Sequence, residues 1–240
     1  MSNDPVLAAS RTRKRALIAL LLTVPAPSIG VIAAMILWPK ESFGLIGPVI
    51  FGVCKAWMLL VPVAWRLLID RAPLSLSPAR QGGFGVAAMS GMAIAAVILG
   101  AGFLLGPSLI DFDHARHMAE QNGIGTIEAY LAGIAYWVLV NSVLEEYVYR
   151  WFIFEKCEQL APSWAAVVLS ALFFTIHHVI ALRVQFDWPA TVLGSLGVFI
   201  GGAVWSWLYR RYRSIWPGYL SHAIADIAVF TLGWWIIFGA

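Results

Sequence analysis

Residues 84–106 read FGVAAMSGMAIAAVILGAGFLLG, with no charged side chain anywhere in the run. About 20 apolar residues in a helix cross the hydrocarbon core of a bilayer, so this stretch is read as a membrane span. Comparable apolar runs lie at approximately 16–38, 44–69, 127–153, 163–182, 189–209 and 215–239. Pro39, Pro73, Pro78, Gly82, Pro107, Gly123, Pro162, Pro189 and Pro217 mark breaks around them. The runs are too long and too uniformly apolar for barrel strands, which alternate apolar and polar residues. Lipid offers an exposed backbone amide no partner, which leaves helices as the spanning form. The expected fold is all-α, a multi-pass transmembrane helical bundle of about seven spans.

Composition agrees. The chain has 240 residues, 60% of them apolar and only 12% charged, whereas soluble domains carry about 25% charged residues. Its 12 Trp suit a membrane–water interface. One membrane domain fills the length, and no separate soluble domain is expected. Cys54 and Cys157 lie in or beside apolar runs without metal-site spacing and read as free thiols.

Basic residues set the expected orientation. With the N-terminus inside, one side collects Arg11, Arg13, Lys14, Arg15, Arg66, Arg71, Arg80, Lys156, Arg210, Arg211 and Arg213, and the other only Lys40, Arg116 and Arg183. That bias predicts N-in, C-out. The run after Arg15 is too long for a signal-peptide core and reads as a retained first span. The expected division is a basic cytoplasmic tail at 1–15, N-terminal spans at 16–126 and a C-terminal transmembrane core at 127–240. The segment Asp111–Gln121, with Asp113, His114, His117 and Glu120, is expected as a solvated outer loop. The expected location is the cell membrane, of a bacterial cytoplasmic type.

A charge at the centre of a spanning helix costs about 2.5–3.5 kcal/mol on insertion scales and needs a reason. The first, third and sixth spans carry essentially none, and the second has only Lys55 and Arg66. The polar exceptions gather in three spans. The fourth reads Asn141-Ser142-Val143-Leu144-Glu145-Glu146-Tyr147-Val148-Tyr149-Arg150. Glu146 and Arg150 are four apart and can pair on one helical face. That leaves Glu145 without a local partner and available for chemistry. The fifth span ends Phe173-Phe174-Thr175-Ile176-His177-His178, where adjacent residues point apart, so one histidine suffices. In the seventh, His222 and Asp226 share a face. Each cluster alone is also explained as a packing bond. Together they supply a base, an imidazole and a group for an oxyanion, the parts for activating water on an amide. Depth is compatible for Glu145 and His178, each about 22 Å along its helix from the inner end. His222 lies nearer the start of its span, and meets them only if the preceding turn dips or the helix tilts.

At these residues the chain resembles the CPBP family, the CAAX-protease and bacteriocin-processing group that includes the Rce1-type prenyl-protein endopeptidases. The family's E-E-x-x-x-R appears as Glu145-Glu146 to Arg150. Its F-x-x-x-H appears in two registers, Phe173 to His177 and Phe174 to His178. Its terminal H-x-x-x-N/D appears as His222 to Asp226. The resemblance covers residues from about 127 onward and does not extend to the first three spans. It implies a glutamate-dependent intramembrane endopeptidase acting on a membrane-associated or lipidated peptide. Glu145 is then the general base, Glu146 and Arg150 support it, and His178 (with His177 open) assists. His222 and Asp226 bind the substrate carbonyl or a metal. Asp stands where many members have Asn, which favours orienting His222 or holding a cation over donating a hydrogen bond.

Two histidines and a carboxylate are enough for a catalytic divalent metal such as zinc, with His178, His222 and Asp226 as candidate ligands. No H-E-x-x-H motif is present, and the metal-free arrangement is preferred. The expected partners are membrane lipid and a membrane-associated peptide or protein substrate, with no nucleic acid. The competing functions are a non-catalytic immunity or scaffold protein on the same bundle, and an ion-coupled transporter, which would ordinarily show internal repeats.

Overall fold

The computed structural model describes residues 5–239; the side chains of residues 5–8 and of residue 41 are outside the description. Residues 1–4 of the expected basic tail therefore lie outside the described residues. All regular structure within them is helical. Among the described residues, seven helices are long and apolar enough to cross a membrane: α1 (Ala9–Leu37), α2 (Ile46–Ile69), α3 (Phe84–Leu109), α5 (Ile127–Glu158), α6 (Ser163–Gln185), α7 (Trp188–Tyr212) and α8 (Ile215–Phe238). One short helix, α4 (Phe112–Gln121), lies between the third and fourth spans. The basic residues Arg11 to Arg15 ride on the first helix, which begins at Pro5.

The distribution of side chains is that of a protein solvated by lipid. Val97 and Leu104 of α3 are 70% and 81% exposed, whereas Glu146 and Arg150 of α5 are wholly buried. Water would reward the opposite arrangement; hydrocarbon penalises an exposed charge and is indifferent to an exposed Leu. Helices α3 and α8, α6 and α7, and α1 and α2 make the closest pairs, with α5 packed against α8 and α6. Small residues permit the α3–α8 approach. A Cβ on Gly91 would stand 3.0 Å from the Ser221 Cα, and beside it the Ser90 and Ser221 hydroxyls are 3.2 Å apart.

The segment Asp111–Gln121 differs from the solvated loop expected. It is the helix α4, capped by Asp111, whose Oδ1 accepts the His114 amide at 3.0 Å. An aspartate preceding a turn of helix formers satisfies an otherwise orphaned donor. That signal outweighs the segment's polarity. His117 Nε2 is taken up by Gln121 at 3.0 Å.

A connection without regular structure, residues 70–83, crosses the end of the bundle where α8 begins. Ser77 is buried, and its hydroxyl accepts the Ile215 amide at 3.0 Å while its carbonyl accepts the Ser214 hydroxyl at 2.6 Å. Trp216 Nε1 donates to the Leu76 carbonyl at 2.9 Å. These bonds satisfy donors at the start of α8 that would otherwise be orphaned. They also let the α7–α8 turn sink beneath the strap, with Ser214, Ile215, Pro217 and Gly218 all buried. That is the dip required to bring His222 level with Glu145. Arg213, which ends α7 in a left-handed conformation, closes this end by pairing with Glu158 at 2.6 and 2.9 Å. Cys54 and Cys157 are free.

Candidate active site

Helix α5 is not a uniform α-helix. Wide π turns, with hydrogen bonds five residues apart, span Trp137–Asn141 and Tyr147–Phe154 and flank a short α segment, Ser142–Glu146. Such turns concentrate at functional sites because they re-aim side chains relative to the regular ladder. Here the two carboxylates sit on the α segment between them. Both are buried, and they face different partners.

Glu146 lies 3.4 Å from Arg150 through Oε1, and the same oxygen accepts from His222 Nδ1 at 3.1 Å. The Arg150 guanidinium lies over the Phe174 ring at 4.7 Å and near Trp205 and Tyr149 at 5.4 and 5.9 Å. Electron-rich faces and one carboxylate replace the water it has lost. The intrahelical pairing read from the spacing is therefore present, with His222 added to it from α8.

Gly218 makes room for this arrangement, since a Cβ there would stand 2.3 Å from Glu146 Oε2. Gly218→Ala is expected to displace the carboxylate from Arg150 and His222. The cost should be about 1–3 kcal/mol of stability, the usual range for forcing atoms into a packed site. Thermal unfolding in detergent reads it directly.

Glu145 faces a different set. Its oxygens lie 3.5 Å from Lys55 Nζ on α2 and 4.0 Å from His222 Nε2. One ligand atom each from Glu145, His177 and His178 lie within 4.8 Å of one another. Adjacent histidines were expected to diverge, with one sufficing. Instead their rings lean together, 4.1 Å apart at 46°, and both reach Glu145. Long side chains can converge even where their Cβ vectors diverge. His178 Nδ1 is 2.8 Å from the Phe174 carbonyl. A carbonyl only accepts, so Nδ1 carries the proton and the neutral ring keeps its Nε2 lone pair. His177 Nδ1 is 3.2 Å from the Tyr149 hydroxyl.

His222 stacks on Trp205 at 3.8 Å and 13°. Its Nε2 is 3.6 Å from Asp226 Oδ1, and Asp226 Oδ2 accepts from the Ser142 hydroxyl. Asp226 is thus held between Ser142 and His222. Glu145, Glu146, Arg150, His178, His222 and Asp226 all come together, on α5, α6 and α8. The anticipated ligand set of His178, His222 and Asp226 does not form. Among the described residues, the group close enough to share one ion is Glu145, His177 and His178. The reason is that His222 is drawn to Glu146 and Asp226 to Ser142.

Three residues were missed by the sequence reading: Lys55, Trp205 and Tyr149. Lys55 carried a signal, being a charge inside an apolar span with no local partner. Its ammonium donates to Asn141 Oδ1 at 2.7 Å, so contacts with Asn141 and Glu145 together offset its insertion cost. Trp205 and Tyr149 are indistinguishable in sequence from packing aromatics.

As to a metal, the donor chemistry of Glu145, His177 and His178 is that of zinc, whose bonds of about 2.0–2.1 Å would draw the three atoms closer together. The local charge is unsuited, because Glu145 already has an ammonium beside it.

Lipid-facing helices around a buried set of carboxylates and imidazoles define a multi-pass membrane protein with an ionisable site at its centre. Residues 127–228, which run from the start of α5 into α8 and contain every motif residue, match the family model of the type II CAAX prenyl endopeptidase Rce1-like domain. Over these residues, somewhat under half of the chain, it is similar to the CAAX-protease (CPBP) family of intramembrane proteases. No curated protein and no solved structure matches it.

Proposed function

We propose that the protein is a glutamate-dependent intramembrane endopeptidase that cleaves a membrane-associated or lipidated peptide with activated water and without a metal. The convergence of Glu145, His177 and His178 supports this reading most directly. In it, Glu145 takes a proton from a water that also donates to the free Nε2 lone pair of His178. The water oxygen attacks the scissile carbonyl carbon, and Glu145 then passes the proton to the departing amide nitrogen as the C–N bond breaks. His222, with both nitrogens protonated, donates Nδ1–H to Glu146 and offers Nε2–H to the oxyanion. Asp226, an acceptor facing His222, orients that ring and does not bind the oxyanion itself. Glu146, Arg150 and Asp226 are positioning residues.

The test is a prenylated, internally quenched peptide incubated with the full chain in liposomes. Cleavage at a single bond, identified by mass spectrometry and lost in both Glu145→Ala and His178→Ala, is the expected result. Cleavage that survives both substitutions, in protein folded like the parent, would leave the motifs a scaffolding role.

His177 is expected to matter less than His178. Its Nδ1 faces the Tyr149 hydroxyl, which can donate or accept, so its Nε2 is not fixed as an acceptor as that of His178 is. His177→Ala should retain measurable turnover where His178→Ala falls by about two orders of magnitude or more, in keeping with loss of a proton-transfer partner. Parallel progress curves for the two variants check the ranking, and equal loss would assign both rings to the water.

A further inference from the structure

The matched segment begins at residue 127, yet the cation nearest Glu145 comes from α2, outside it. Lys55 Nζ stands 3.5 Å from Glu145 Oε1 and 2.7 Å from Asn141 Oδ1, one turn earlier on α5. The Phe51 and Trp137 rings each lie 5.7 Å from the ammonium. Aromatic faces and two oxygen acceptors thus fix a charge that would otherwise be unfavourable in this span. Nitrogens of His177 and His178 also lie close enough to Glu145 to share an ion. Both rings have their Nδ1 engaged by an outer group, the Phe174 carbonyl or the Tyr149 hydroxyl. Protein metal sites use this kind of support to orient an imidazole. A complete set of metal donors therefore sits beside a fixed monovalent cation.

We propose that Lys55 supplies, as an ammonium, the positive charge that a metal would bring to the Glu145–His177–His178 cluster. It thereby excludes divalent cations from the site and makes α2 part of the catalytic apparatus. Lys55 is a positioning residue. It holds Glu145 through Oε1, while a carboxylate oxygen of the same residue lies within 4.8 Å of a nitrogen of each histidine. A dication bound to Glu145 would have to sit close to this ammonium, and repulsion in the low-dielectric interior is strong. Removing the charge without removing the donors should convert the cluster into a metal site. The inference about catalysis rests on the protease reading; the metal-binding behaviour does not.

The experiment titrates Co²⁺ alone, and separately Zn²⁺ by calorimetry, into the purified full-length protein in detergent. Lys55→Met and Lys55→Gln remove the charge, Gln keeping a donor for Asn141 should Met disturb the fold. Lys55→Arg keeps it. Both neutral variants should take up one equivalent of metal at least about tenfold more tightly than the parent, the scale on which groups around a metal shift its affinity. The cobalt form should show the visible absorption of a tetrahedral N/O site. Lys55→Arg should behave as the parent, and adding His178→Ala to Lys55→Gln should abolish the spectrum. Equal affinity in parent and neutral variants, whether both tight or both negligible, would overturn the proposal. If the metal result holds while no cleavage of the peptide is seen in parent or variants, the protease assignment fails and the charge-substitution inference stands.

Discussion

Glu145→Gln should lower turnover of the reconstituted peptide by about two to four orders of magnitude, the range that one positioned proton-transfer group contributes. The substitution keeps shape and hydrogen-bonding capacity and removes only basicity. Lys55 is then left without its carboxylate partner but retains Asn141, and Glu146 keeps Arg150 and His222, so folding should change little. A stopped assay with the parent and the Gln variant at matched abundance reads the difference. The decisive pattern is loss of kcat with KM roughly retained, the signature of an interaction made only in the transition state. Residual turnover within tenfold of the parent would mean that the water is activated elsewhere.

The second large effect is on stability. Arg150→Met should cost about 3–5 kcal/mol, because it takes the guanidinium from the wholly buried Glu146 carboxylate and leaves His222 alone to face it. A buried pair is itself only weakly stabilising, since two desolvation penalties nearly cancel the attraction; breaking it by halves is what is expensive. The double variant Glu146→Gln/Arg150→Met should therefore recover much of the loss, although His222 then gives up a charged acceptor. Reversible unfolding in mild detergent measures both. A single variant within about 1 kcal/mol of the parent would show that neither the ion pair nor the guanidinium's contacts with Phe174, Trp205 and Tyr149 hold this end of α5.

The two effects separate the roles of adjacent carboxylates. Glu145 and Glu146 differ by one position, but one is surrounded by imidazoles and an ammonium, and the other by a guanidinium and the Nδ1 of His222. Loss of the first should leave a stable, inactive protein. Loss of support for the second should leave an unstable one. A scaffold or immunity function predicts effects on stability alone.

Much of this was legible without coordinates. Each span announces itself because hydrophobicity is a local property: a run such as 84–106 has the same affinity for hydrocarbon whatever surrounds it. The Glu146–Arg150 pair was legible for a similar reason, since helical geometry alone brings residues four apart together. The amphipathic α4 was taken for a loop because its polarity was weighed above the capping aspartate. The convergence of both histidines was missed because side-chain length was ignored in favour of Cβ direction.

By itself, then, the chain determined its solvent, its helices and which side chains are too polar for lipid, since all of these depend on composition within a single segment. Only the tertiary structure decided who meets whom. It sank the turn before α8 beneath Ser77, carried His222 to Glu146, and brought Lys55 from a distant span to Glu145. Those pairings are set by how whole helices pack and tilt. Contacts between groups 76 or 90 positions apart along the chain leave no periodic trace in it.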